Sequence, residues 1–375
     1  MKKFWFLSVL IAGLFIWSCS SDNPEEVIPD DDGIPLIFDR GALLENWADN
    51  IILPAYESFQ LQLEALSTSY AVFSEDRSTT NLEAFRSAWL SAYMAWQQVS
   101  LFEIGPTETA GLRLNINTYP TDVSLIGQFV ATGDYDLSLP SNRDAKGFPA
   151  LDYILNGLET DDAALLTRFE DPNLLAYVQD VLEDMSSLTN TVVDEWQTSF
   201  RDAFVANDGS SVNASVDRFV NDYIFYYERF LRAGKMGIPA GVFSGTPEPQ
   251  TVEAFYDAEI SNMLFLEGLS TVQDFFNGRH FGSNETGESL ASYLQFLDTT
   301  ADGEALDVVI NNQYDLARSQ VEALNPFLQE IEENVPVPTN LLLAYDEVQR
   351  IVPLIKVDML SALNISVDFV DADGD

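Results

Sequence analysis

The residues able to do chemistry are unevenly supplied in this chain. It has one cysteine, Cys19, and one histidine, His280, against 60 Asp and Glu. A lone imidazole argues against a Ser-His-Asp relay and against most catalytic zinc sites, which use two or three histidines. A lone thiol rules out an internal disulfide and a thiolate metal cage. The chain shows no phosphate-cradling glycine loop, no nucleophile elbow and no paired-histidine zinc helix. Oxygen ligation of a cation is the metal chemistry that remains. Asp30–Asp32 and Asp371–Asp375 are acidic enough for weak calcium binding, but read first as solvated segments. His280 follows Asn277-Gly278-Arg279, a helix-ending turn, and reads as a surface or capping residue. Arg113, Arg229, Arg232 and Lys235 are rare cations near the aromatics Tyr223, Phe225, Tyr226 and Tyr227. They allow two readings: charge pairs securing helices, or a pocket for an anionic or carboxyl-bearing ligand.

Cys19 is placed where a thiol has a use. Lys2 and Lys3 precede an apolar run from Phe4 to Ile16, and Trp17-Ser18-Cys19 follows. A charged tip, a short apolar core and a small residue mark a secretory signal, too short to span a membrane. A cysteine directly after the small residue resembles the bacterial lipobox. That resemblance implies a signal peptide over residues 1–18, acylation of Cys19 and anchoring in a lipid bilayer by two or three acyl chains. Residues 19–38 then read as an acidic tether, with Pro24, Pro29, Pro35 and Asp30-Asp31-Asp32-Gly33. The early acidic residues resemble the surface-export signals of some Bacteroidetes lipoproteins. The expected location is the cell envelope, at the outer membrane.

Charge narrows the partners. With 18 Lys and Arg, the formal net charge is -42. Nucleic-acid binding relies on phosphate neutralisation by basic residues and is excluded as a reading. Lying flat on anionic lipid is disfavoured for the same reason. Affinity for cations, or plain solubility, fits better.

The elements that must hold any site are helices. Leu44, Ala48, Ile52, Ala55, Phe59, Leu63, Leu66 and Tyr70 step by three or four, the period of one buried helical stripe. Pro54 interrupts it and predicts a kink. A second helix is expected over 81–102, and Asp122 should cap a short helix through Phe129. Longer helices are expected at 173–206 and 213–234. Residues 234–250, rich in glycine and proline, form the expected boundary between two bundles, 39–235 and 236–375. Beyond it helices are expected at 251–277, 287–298, 303–332 and 340–363. The last carries the seam Leu341, Tyr345, Val348, Val352, Ile355 and Met359, with Pro353 bending it. The fold class read from these patterns is all-α, two packed helical bundles.

Five segments, in order and spacing, resemble the imelysin-like family of bacterial exported proteins. They are Trp47 to Phe59 with its proline before a tyrosine; Ala88 to Pro106; Asn117-Thr118-Tyr119-Pro120-Thr121-Asp122; Gly147 to Leu155; and the closing Asp371 to Asp375. The resemblance implies two helical bundles, an outer-membrane or periplasmic setting and a link with iron uptake. Metal-dependent proteolysis is ascribed to the family's founding member. The family's GxHxxE signature falls on Gly147-Phe148-Pro149-Ala150-Leu151-Asp152. Gly147 is kept, Pro149 stands at the histidine position and Asp152 at the glutamate position. Proline offers no lone-pair nitrogen to a metal and no proton to shuttle.

The expected function is therefore a non-catalytic binding component in iron, metal or nutrient acquisition. Asp152 and Asp122 are the candidate ligands for a divalent or iron cation, with no other cofactor expected. Arg113, Tyr119, Tyr153 and Lys235 are the candidate ligand-binding groups. An outer-membrane receptor or iron-uptake component is the expected protein partner. Two alternatives stay open: an imelysin-type metal-dependent peptidase with an altered site, and a scaffold for an outer-membrane receptor.

Overall fold

All eight residues of the first apolar stripe, from Leu44 to Tyr70, are buried. They do not lie on one regular helix. Arg40–Glu45 is α-helical, Asn46–Ile52 is π-helical, and Leu53–Glu75 is α-helical again. Pro54 stands in the first turn of the third piece, where its missing N–H leaves an upstream helical carbonyl without its donor. The π turn thus accommodates the proline, at the place where the sequence predicts a kink. The computed structural model describes residues 28–29 and 35–368. The expected signal peptide, Cys19, Asp30–Asp32 and Asp371–Asp375 lie outside the described residues.

Helix dominates the rest, as the all-α expectation requires. Leu53–Glu75 packs on Thr79–Gln97 and on Pro172–Glu195. Ser215–Phe225 runs on into the π-helical Tyr226–Gly237. That segment packs on Ser261–Phe276 and Thr339–Gln349, and Leu306–Glu322 packs on the same two helices. Ser261–Phe276 also packs on Thr79–Gln97, so it touches helices from both halves of the sequence. One apolar cluster runs from Phe38 to Ile365, with Trp47, Trp89, Trp96 and Trp196 fully buried. Every residue of the seam from Leu341 to Met359 is buried. Around Pro353 the helix widens into π geometry over Leu354–Met359.

Of the helices expected beyond residue 250, three are shorter than expected, each for a physical reason. The helix expected over 251–277 begins only at Ser261. Residues 252–260 run as turns, with Ala254 at φ 54° and the amides of Tyr256 and Asp257 bound to a side chain. The one expected over 303–332 splits into Leu306–Glu322 and Phe327–Glu333 at Pro326, which has no N–H to give. The helix expected over 287–298 is Leu290–Phe296, followed by a small hairpin pairing Thr300–Ala301 with Glu304–Ala305. Asp302 and Gly303 turn it at φ 53° and 87°, the left-handed pair that a tight hairpin needs.

Candidate functional site

The segment where the sequence resemblance places the signature is a short helix, Gly147–Asp152, continuing as the π turn Tyr153–Gly157. Gly147 has φ 73°, and a Cβ there would collide with the Ile116 carbonyl. Only glycine fits both demands. Pro149 occupies the first turn, where a backbone N–H has no helical acceptor in any case. Phe148 anchors the helix inward. Its ring stacks on Tyr93 at 4.5 Å, and its carbonyl accepts from the Trp89 indole at 3.4 Å.

Asp152 is 1% exposed. Its Oδ2 accepts the backbone N–H of Tyr256 at 2.9 Å, and its Oδ1 accepts that of Asp257 at 2.9 Å. The Asn156 amide donates to Oδ1 as well, at 3.1 Å. Burial pushes the carboxyl up to about 6, and the three hydrogen bonds oppose that rise. The carboxylate therefore clamps residues 254–257 onto the Gly147–Asp152 helix. Tyr153 packs its ring on Tyr256, with centroids 5.1 Å apart. Between these pieces lies a cleft of about 150 Å³, bordered by Tyr119, Pro149, Asp152, Gln250 and Tyr256.

Behind the cleft is a buried polar network that sequence reasoning missed. Glu253 is 1% exposed, and its Oε1 accepts from Asn117 at 2.7 Å, Tyr93 at 3.1 Å and Gln97 at 3.3 Å. Its other oxygen faces the Lys235 ammonium, which also donates to Gln97 at 2.9 Å. Burial lowers Lys235, and the Glu253 charge holds it up. The Tyr119 and Tyr93 hydroxyls are held well above their ordinary range, first by burial and then by the Glu253 charge. The available signal was an acid flanked by apolar residues, Val252-Glu253-Ala254, ahead of a helix.

The other candidates are dispersed. Arg113 is buried away from this cleft, donating to the Ser100 carbonyl at 2.9 Å and to Asp222 at 3.2 Å. Its guanidinium lies 4.6 Å from the Phe230 ring centre. The neighbouring Glu103 is pushed up to about 7 by burial, against the pull of Arg113. Asp122 is exposed and caps the helix Val123–Thr132, accepting the Leu125 N–H at 2.9 Å. Of the predicted group, Tyr119 and Asp152 share a cleft, Tyr153 packs beside it, and Lys235 lies behind it.

The family profile described as Imelysin matches residues 52–349. The chain belongs to the imelysin family. A solved structure described as an iron-regulated protein A precursor, from Parabacteroides distasonis, superposes with a TM-score of 0.70 at 19% identity. The superposition covers 89% of this chain and 98% of that one. An imelysin-like protein from Psychrobacter arcticum gives a TM-score of 0.67 at 17% identity, covering 88% and 97%. Both show a shared fold. Iron-regulated protein A of Synechococcus elongatus is 28% identical over 79 residues. That match takes in 21% of this chain and only 22% of that protein.

A metal at the Pro149 and Asp152 junction would need donors that this chain does not place there. Pro149 has none to offer. Both Asp152 oxygens already accept hydrogen bonds from the protein. Asp122 does not border the cleft. Among the described residues, no three His, Cys, Asp or Glu side chains converge as a cation site. Hard cations take six or more oxygens. The residues at this imelysin junction do not fit a metal ion.

Proposed function

We propose that this imelysin-family protein is a non-hydrolytic binding component in metal or nutrient acquisition, tethered to the cell envelope through acylated Cys19. The observation that carries the reading is the fate of Asp152. The residue at the signature's carboxylate position spends both oxygens on the backbone of Tyr256 and Asp257. With Pro149 beside it, the pair that would activate water has become a structural clamp. The iron-regulated names of two relatives support an acquisition role. The cleft offers phenol, amide and hydroxyl groups from Tyr119, Gln250 and Thr121. Such groups recognise a polar ligand by hydrogen bonding and do not coordinate a bare ion strongly.

The test is an unfolded protein substrate such as reduced casein, incubated with the protein and added zinc or iron. The expected outcome is intact substrate with or without a chelator. Cleavage that disappears on chelation would overturn the reading and restore the peptidase alternative. Extraction with detergent after metabolic labelling with a fatty acid tests the tether separately.

A further inference from the structure

We infer that a second cleft, between the Ser261–Phe276 helix and the loop 278–287, binds a short peptide with free termini. This site is separate from the Asp152 junction and does not depend on its reading.

The loop is built as a rigid wall. Arg279 pairs with Thr286 as an antiparallel bridge, and Gly287 donates to the Gly278 carbonyl at 3.0 Å. The Asn46 amide, from the π turn, reaches both ends of the loop at Gly278 and Glu288. The Phe281 N–H donates to the Asn50 carbonyl at 2.8 Å. Arg279 and His280 are thereby fixed over a cavity of about 320 Å³, floored by Phe102 and Phe275. That volume lies within the range of small-molecule sites.

The facing helix presents Glu267, Ser270, Thr271 and Asp274 to the cavity. Their spacing of three, one and three puts them on one side of the helix. The charges are arranged by end. At one end Asp274 is already paired with Arg279 at 3.3 Å. Arg279 uses further N–H groups on the Ser283 carbonyl and on Asn284. A guanidinium has five N–H donors, so two remain, next to the His280 ring. This end accepts a carboxylate. At the other end Glu267 is held by the Gln98 amide at 2.6 Å, and no Lys, Arg or His among the described residues pairs with it. This end accepts an ammonium.

Glu267 and Asp274 are seven residues apart, about 10 Å along the axis. Two residues at about 3.5 Å each span about 7 Å, which fits within that separation and leaves roughly 3 Å of axial distance for the contacts at the two ends together. The middle of the cleft matches one peptide bond. Gln98 Oε1 has no partner among the described residues and is free to accept an N–H. The Ser270 oxygen accepts from Arg318, which leaves its own hydrogen to donate to a carbonyl.

The test is titration calorimetry of the full chain with dialanine and trialanine, run with EDTA present so that metal-dependent cleavage plays no part. N-acetylated and C-amidated forms are the controls. The free peptides should bind, and blocking either terminus should weaken binding about tenfold or more. In Glu267→Gln, free and acetylated peptides should bind alike. No binding of either free peptide at millimolar concentration would overturn the inference. So would equal binding of free and blocked forms to the unmodified protein, a comparison that needs no variant to fold.

Discussion

The backbone N–H of Phe281 donates to the carbonyl of Asn50 at 2.8 Å. Asn50 lies four residues before Pro54, so its carbonyl is the one an α-helical N–H at position 54 would have taken. The proline leaves it open, and the loop carrying His280 fills it. A residue that looks from sequence like a helix fault is thus the attachment point for a distant loop.

Pro54→Ala supplies a competing N–H to that carbonyl. The expected outcome is a looser 279–284 loop, by about the net worth of one hydrogen bond, ~1 kcal/mol. Hydrogen exchange read by mass spectrometry should then show roughly fivefold faster exchange in a peptide containing Phe281. Unchanged protection there would show that the loop is held by Asn46 alone.

Gly147 should tolerate no side chain. Gly147→Ala forces an alanine to φ 73° and drives its Cβ into the Ile116 carbonyl. The two effects together should destabilise the fold by about 3 kcal/mol or more. Urea denaturation checks this, and a loss below about 1 kcal/mol would mean that the helix start shifts freely. On this account a glycine is required at position 147 for steric reasons, whatever chemistry its neighbours carry.

Much of the fold was legible because it follows one-dimensional periods. The stripe from Leu44 to Tyr70 and the seam from Leu341 to Met359 are buried as their spacing requires. Asp122 was legible as a cap, since capping is local. The site was less so, because its decisive contacts are long-range. Nothing near Asp152 in sequence shows that it will hold the amides of residues 256 and 257, more than a hundred positions away. That same contact is why 252–260 are not helical, so one unseen hydrogen-bonded clamp misplaced both an element and a role. Lys235 stands out in the sequence as a rare cation, but its partner Glu253 is hidden in a stretch whose pattern predicts helix.

The Lys235 and Glu253 pair gives a sharper test of what such a network is worth. Both groups are almost fully buried, and Glu253 also accepts from Asn117, Tyr93 and Gln97. Lys235→Met would strand a buried carboxylate and should destabilise by about 3–5 kcal/mol. Glu253→Gln in addition removes the stranded charge, so the double variant should recover much of the loss. Additive losses in the cycle would show that the two side chains do not interact.

Asp152 should write a pH signature on stability. Its folded carboxyl is pushed up to about 6 by burial, against about 3.9 in the unfolded chain. A folded value above the unfolded one means the group favours the native state most fully below about pH 4. That contribution, on the order of 3 kcal/mol, is lost as pH rises through about 6. Asp152→Asn cannot titrate and keeps only one oxygen to accept from Tyr256 or Asp257, so it should be the less stable protein at pH 4.5. The gap between the two proteins should narrow by pH 7.5, because only the unmodified chain then carries a buried charge. Urea unfolding of both at the two pH values measures this directly. A gap that stays constant would mean that the Tyr256 and Asp257 amides and Asn156 compensate the burial fully, leaving Asp152 ionised throughout.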